Sequence, residues 1–283
     1  PSRPNRSAIR VSVSRSFQPD SFMLMWVTLT AWLLLRWMES PTWQRAIAAG
    51  LLGGIAILVK ITAILFLGGA FVAAVILTLG LRKLWKNPQV YVMALLCLVP
   101  MFIFYFLLQG ASSGKYTQFW TVGMAHMLVT GKFYTQWLAM IDSITGLTLF
   151  AVGILGFLVA PKSLKPILIG LWIGYVAYGF VYPFQYTTHN YYHTMLVLIL
   201  GLSMALVIEL VIQKLREQAL GWKIAAGVLL VVASFYFLYS TRSAILVSNY
   251  ANEPESWRRV GASIPADRHF TALTSDYGVR LVY

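Results

Sequence analysis

An all-α, multi-pass membrane protein is the fold class this sequence predicts, and three observations predict it. Of 283 residues, 59% are hydrophobic and 11% charged, with a mean hydropathy of +0.71, more apolar surface than a soluble domain of this length buries in its own core. Apolar stretches of roughly 18 residues or more recur between short basic loops, the length a helix needs to cross a hydrocarbon layer of about 30 Å. No ten-residue stretch alternates apolar and polar residues, which disfavours a barrel. The formal net charge of +13 sits mostly in short connections between the apolar runs, where it reads as a topological signal rather than a nucleic-acid surface. A single cysteine, Cys97, lies within an apolar run, so neither an intrachain disulfide nor a cysteine metal cluster is expected. No cleavable signal peptide is visible.

Eight spans follow in order, over residues 21 to 38, 46 to 59, 61 to 80, 90 to 108, 143 to 160, 166 to 182, 190 to 212 and 222 to 240. The second and third form one apolar stretch interrupted by Lys60 and Thr62. A single helix over it would be about 52 Å long, far more than a bilayer needs, so two short helices turning near Lys60 fit better. With that hairpin, Arg36 and Arg45, then Arg82, Lys83 and Lys86, then Lys162 and Lys165, then Lys214, Arg216 and Lys223 fall on one side, which the positive-inside rule makes cytoplasmic. Residues 1 to 20, the Lys60 turn, the loop 109 to 142, the short loop 183 to 189 and the tail 241 to 283 face the other way. Arg3, Arg6, Arg10 and Arg15 run against the rule, but moving them inside would break the pattern of the later loops. The chain opens without Met and ends on Leu281, Val282 and Tyr283, which reads as a piece of a longer protein.

The loop 109 to 142 carries Tyr116, Phe119, Trp120, Met124, Met127 and Leu128 at helical spacing, then Phe133, Tyr134, Trp137, Leu138 and Ile141. Two amphipathic helices in the outer interface, over 115 to 130 and 132 to 142, are expected; packing onto the spanning bundle is the alternative. In the tail, Phe270 to Thr274 reads as a short strand, and the segment either docks on the membrane part or begins a truncated domain.

Three polar groups stand at the outer ends of spans. Asp20, after Arg15, Gln18 and Pro19, can serve as a general base or bind an acceptor hydroxyl; more plainly, a carboxylate in a first helical turn beside Pro19 suits the helix dipole. Lys60 at the hairpin turn can pair with a phosphate, or snorkel to lipid headgroups. The run Gln185, Tyr186, Thr187, Thr188, His189, Asn190, Tyr191, Tyr192, His193 is the most specific. If a helix begins near Asn190, His189 and His193 share a face and can hydrogen-bond a phosphate or ligate a metal, while Tyr191 and Tyr192 can stack on a sugar or donate to it. The plainer alternative is an interfacial aromatic belt with a Thr188 or Asn190 cap. His126 reads as structural. The spans hold almost no ionisable group at mid-membrane, Glu209 lying toward the cytoplasmic end, and neither a P-loop nor a repeat is apparent. Chemistry at the outer surface on a lipid-borne substrate therefore outranks a transporter or flippase of lipid-linked saccharides, and a non-catalytic scaffold.

Ser14-Arg15-Ser16-Phe17-Gln18-Pro19-Asp20 leading into a span, the segment Ala49 to Lys60 ending Leu58-Val59-Lys60, and His189-Asn190-Tyr191-Tyr192 opening a later span resemble the GT-C class of membrane glycosyltransferases. The resemblance is to relatives of the dolichyl-phosphate-mannose protein mannosyltransferases and the aminoarabinose lipid A transferases, over roughly residues 14 to 283. It implies transfer of a sugar from a polyprenyl-phosphate donor to a lipid, glycan or protein acceptor on the non-cytoplasmic face of a bacterial inner membrane, with inversion at the anomeric carbon. It also implies a principal catalytic acid in a first outer loop after a first span. No such span and loop precede Asp20, so the chain is expected either to lack its amino-terminal helices, the favoured reading, or to be an inactive relative, and Asp20 is expected to be substrate-binding. Lys60, His189 or a divalent cation would stabilise the phosphate leaving group. Gln185, Asn190, Tyr191, Tyr192 and His193 complete the expected substrate-binding set.

Overall fold

A computed structural model describes residues 19–108, 112–247 and 253–263. Every regular element among them is helical, with no strand. In chain order these are α1 (Asp20–Glu39), α2 (Trp43–Val59), α3 (Ala63–Leu79), the short α4 (Leu81–Leu84), and α5 (Pro88–Phe102), which runs on as a π-helical stretch, Ile103–Leu108. There follow α6 (Ser112–Trp120), a 3₁₀ stretch Val122–Val129, α7 (Gly131–Ile144), α8 (Leu147–Leu158) and α9 (Lys165–Val181). The last are α10 (Pro183–Thr188), a 3₁₀ turn Asn190–His193, α11 (Thr194–Arg216), α12 (Leu220–Val247) and α13 (Glu253–Ala262). The strand expected at Phe270 to Thr274 lies outside the described residues.

Among the described residues four helices are long and apolar enough to cross a membrane: Asp20–Glu39, Pro88–Leu108, Asn190–Arg216 and Leu220–Arg242. The bent pair α7 and α8 makes a fifth if taken as one span. Helix length alone thus supports four to five crossings rather than eight. The physical reason is that α2, α3 and α9 have 17 residues each, about 25 Å, which falls short of a full hydrocarbon layer.

The hairpin is present. α2 stops at Val59, Lys60 takes an extended conformation (φ −154°, ψ 118°), and α3 starts after Thr62. Its two arms pack elsewhere: α3 lies along α9, and α2 sits between α1 and α5. Small residues make this possible. A Cβ on Gly170 would overlap the backbone of Gly69 and Ala70, one on Gly174 the backbone of Phe66, and one on Gly54 the carbonyl of Leu96. Lipid tails are as apolar as leucine, so such close backbone approach, with its dispersion gain, is what holds helices together in a bilayer. Gly170→Val is therefore expected to force α3 and α9 apart and to cost about 3 kcal/mol or more. Thermal unfolding in detergent measures this; a melting curve matching that of Gly221→Val, where a Cβ meets open space, would refute it.

The bundle has two polar ends. At one, the Arg45 guanidinium donates to the carbonyls of Arg36 (2.6 Å) and Ser40 (3.0 Å), and Glu39, Leu77, Lys162 and Lys165 surround one cleft. At the other, Asp20 meets Lys60. The sequence's grouping of Arg36, Arg45, Lys162 and Lys165 on one side, away from Lys60, matches this arrangement.

The long loop differs from expectation. The helix expected over 115 to 130 is split, because Thr121 (φ −103°, ψ −82°) leaves helical geometry after α6 and its hydroxyl bonds back to the Thr117 carbonyl at 2.8 Å. α7 packs Phe133, Trp137, Ile141 and Ile144 into the core and exposes Tyr134 and Leu138. It then turns 93° into α8 at Gly146, whose φ of 78° only glycine adopts without strain.

Candidate functional site

Asp20 is the first residue of α1, following Pro19, whose fixed φ of −69° opens the helix. Its side chain is 1% exposed. A carboxylate so buried needs a partner, and Lys60 supplies one: Lys60 Nζ donates to Asp20 Oδ1 at 2.6 Å. Lys60 reaches it because α2 ends one residue earlier, leaving the lysine extended between two helices. Asp20 Oδ2 is also buried and has no partner among the described residues.

The Lys60 ammonium is 17% exposed and sits 4.8 Å from the Tyr192 ring centroid and 5.6 Å from that of Tyr191. Electron-rich ring faces favour a cation there. Of its three N–H groups one is used by Asp20. Residues 20, 60, 191 and 192, far apart in the chain, thus form one cluster.

The segment carrying Tyr191 and Tyr192 is held by an ordered hydrogen-bond chain. Trp137 Nε1 donates to the Tyr175 hydroxyl (3.1 Å), which bonds His193 Nδ1 (2.7 Å); His193 Nε2 bonds the Tyr186 carbonyl (2.8 Å), and the Tyr186 hydroxyl donates to the Tyr175 carbonyl (3.0 Å). A carbonyl only accepts, so Nε2 carries the proton and Nδ1 accepts from Tyr175. Burial drives the Tyr186 phenol well above its ordinary range, so it stays a neutral donor. His193 is fully buried with both ring nitrogens engaged. It fastens the segment from inside and does not share a face with His189, contrary to the expectation for a helix beginning near Asn190.

His189 is placed differently. It is extended (φ −122°, ψ 114°), partly exposed, and its ring lies 5.4 Å from Tyr191 and 6.0 Å from Tyr192. The Thr188 hydroxyl donates to the Phe184 carbonyl (2.7 Å) and so has only lone pairs left for His189 Nδ1, 2.7 Å away. Nδ1 is therefore the protonated nitrogen and Nε2 an acceptor. Partial burial holds this imidazole below its ordinary pKa, favouring that neutral form. His189 is thus built to accept a hydrogen bond, where the sequence left phosphate donor or metal ligand open. Among the described residues no three His, Cys, Asp or Glu side chains converge as a metal site. Gln185 is buried with Oε1 unpartnered, and Asn190 opens the 3₁₀ turn, half-buried.

Tyr178 and Tyr182 also belong to the cluster. The Tyr192 ring lies 5.5 Å from Tyr178 and 6.4 Å from Tyr182, and Tyr178 is fully buried. Tyr175, Tyr178 and Tyr182 are spaced i, i+3, i+7, a one-face signal the sequence carried openly.

Comparison with curated proteins and with solved structures gives no match. Residues 5–106, which include Asp20 and Lys60, match the family model described as dolichyl-phosphate-mannose-protein mannosyltransferase. Through that stretch the chain is similar to this family of GT-C type, and the similarity points to a membrane glycosyltransferase.

Proposed function

We propose that this protein moves a sugar from a polyprenyl-phosphate donor to an acceptor hydroxyl on the non-cytoplasmic face of a membrane. The observation that carries the reading is the Asp20–Lys60 pair, roofed by Tyr191 and Tyr192, at the bundle end away from the clustered arginines and lysines. In the transfer, the anomeric carbon–phosphate oxygen bond breaks, the phosphate leaves with the electron pair, and the acceptor oxygen bonds that carbon and passes its proton to neutral His189 Nε2. Charge grows on the phosphate, so a fixed ammonium beside it is worth more in the transition state than in the ground state. Lys60 is that ammonium, and Asp20 fixes it. The two tyrosine rings offer a stacking face for the sugar. His189 Nε2 accepts from a substrate hydroxyl.

A pH profile tests the reading. His189 accepts only while neutral, and its pKa is lowered, so protonation and loss of transfer set in as pH falls below the ordinary histidine value of about 6.5. The reconstituted full-length protein, including any sequence upstream of Pro1, supplied with labelled polyprenyl-phosphate sugar, is expected to show that acid limb, and His189→Gln to flatten it. No transfer at any pH would reject the donor class; an unchanged limb in His189→Gln would reject the role of His189.

A further inference from the structure

A second cleft, of about 530 Å³, opens at the opposite end of the bundle, between the end of α1, the end of α3 and the start of α9. Its walls include Leu35, Met38, Leu77 and Ile169, and its rim carries Glu39, Lys162, Ser163 and Lys165. Glu39 is already neutralised by Arg36, with Nη1 to Oε2 at 2.7 Å. The Lys165 ammonium meets only a backbone carbonyl, that of Leu158 at 3.3 Å, and the Phe157 ring at 6.0 Å. The rim is therefore net positive, with two lysines uncompensated by carboxylate, above a floor of apolar side chains. Because the lining residues come from helix ends, the cleft lies at headgroup depth in a bundle that crosses a bilayer.

We propose that this cleft binds one anionic phospholipid, its phosphate held by Lys162, Ser163 and Lys165 and the first part of its acyl chains laid against Leu35, Leu77 and Ile169. The shape decides between occupants. A free phosphate would satisfy the lysines but leave the apolar walls wet, whereas a phospholipid satisfies both, and basic pockets between spanning helices select anionic headgroups over zwitterionic ones. The bound lipid would touch α1, α3 and the start of α9 together.

The test uses the purified protein in detergent, titrated with phosphatidylglycerol, phosphatidylcholine or inorganic phosphate, and read by native mass spectrometry and thermal shift. Two double variants are compared: Lys162→Gln/Lys165→Gln in the cleft, and Lys83→Gln/Lys86→Gln, which removes two lysines from the same end outside it. Phosphatidylglycerol is expected to bind and raise the melting temperature, the cleft variant to weaken that binding roughly thirtyfold, and the other variant to change it less than twofold. Equal loss in both variants would show diffuse charge attraction and overturn the site. So would phosphatidylcholine binding as well as phosphatidylglycerol, or inorganic phosphate giving the same shift at equal concentration. Both variants change side chains without buried partners, so their lipid-free melting temperatures should match the parent, which separates binding from folding.

Discussion

Lys60→Met is expected to destabilise the fold by about 3–5 kcal/mol, because it strands the Asp20 carboxylate in a site where that group is 1% exposed. The reverse substitution is milder. Asp20→Asn leaves an ammonium that is 17% exposed on a flexible stem able to turn toward water, and it should cost only about 1.5 kcal/mol, the low end for a hydrogen bond to a charged group. Removing both charges in Asp20→Asn/Lys60→Met should recover most of the loss, since a buried pair costs much of its attraction in desolvation. Thermal unfolding of the three variants in detergent gives the cycle. Simple additivity in the double variant would mean that Asp20 and Lys60 do not depend on each other.

Much of this site was legible in the sequence, through helix length and sidedness rather than through any motif. An apolar run too long for one span required a break, and the lysine within it marked the place; α2 ends there. Alternating spans then put Lys60 at the same end as Asp20 and the 189–193 segment, and the structure brings Lys60 against both Asp20 and Tyr192. What could not be read was rotation within the short segment. A four-residue step in an α-helix leaves two side chains about 40° apart, but in a 3₁₀ turn about 120°. Asn190–His193 is 3₁₀ and His189 is extended, so His193 points into the core while His189 stays outside. The same limit hid the break at Thr121, where a side-chain bond to the preceding turn interrupts a helical apolar pattern that otherwise continues. The Tyr175, Tyr178 and Tyr182 face is legible from its i, i+3, i+7 spacing, but in a helix that is apolar all round such spacing does not by itself mark a site.

The central claim is that the Lys60 ammonium stabilises a leaving phosphate, and the rate of sugar transfer by a variant that folds without it tests that claim most directly. Lys60→Met alone would mix chemistry with unfolding, so the Asp20→Asn/Lys60→Met protein is the one to measure, checked for a monodisperse elution profile and a melting temperature near the parent's. Transfer of labelled sugar from a polyprenyl-phosphate donor, per folded molecule, should fall on the order of a hundredfold to a thousandfold, the loss expected when one preorganised contact to developing negative charge is removed, about 2.7–4 kcal/mol. Asp20→Asn, which keeps the ammonium, should retain more activity than the double variant. A folded double variant that transfers sugar at the parental rate would contradict the account and leave the pair with a purely structural role.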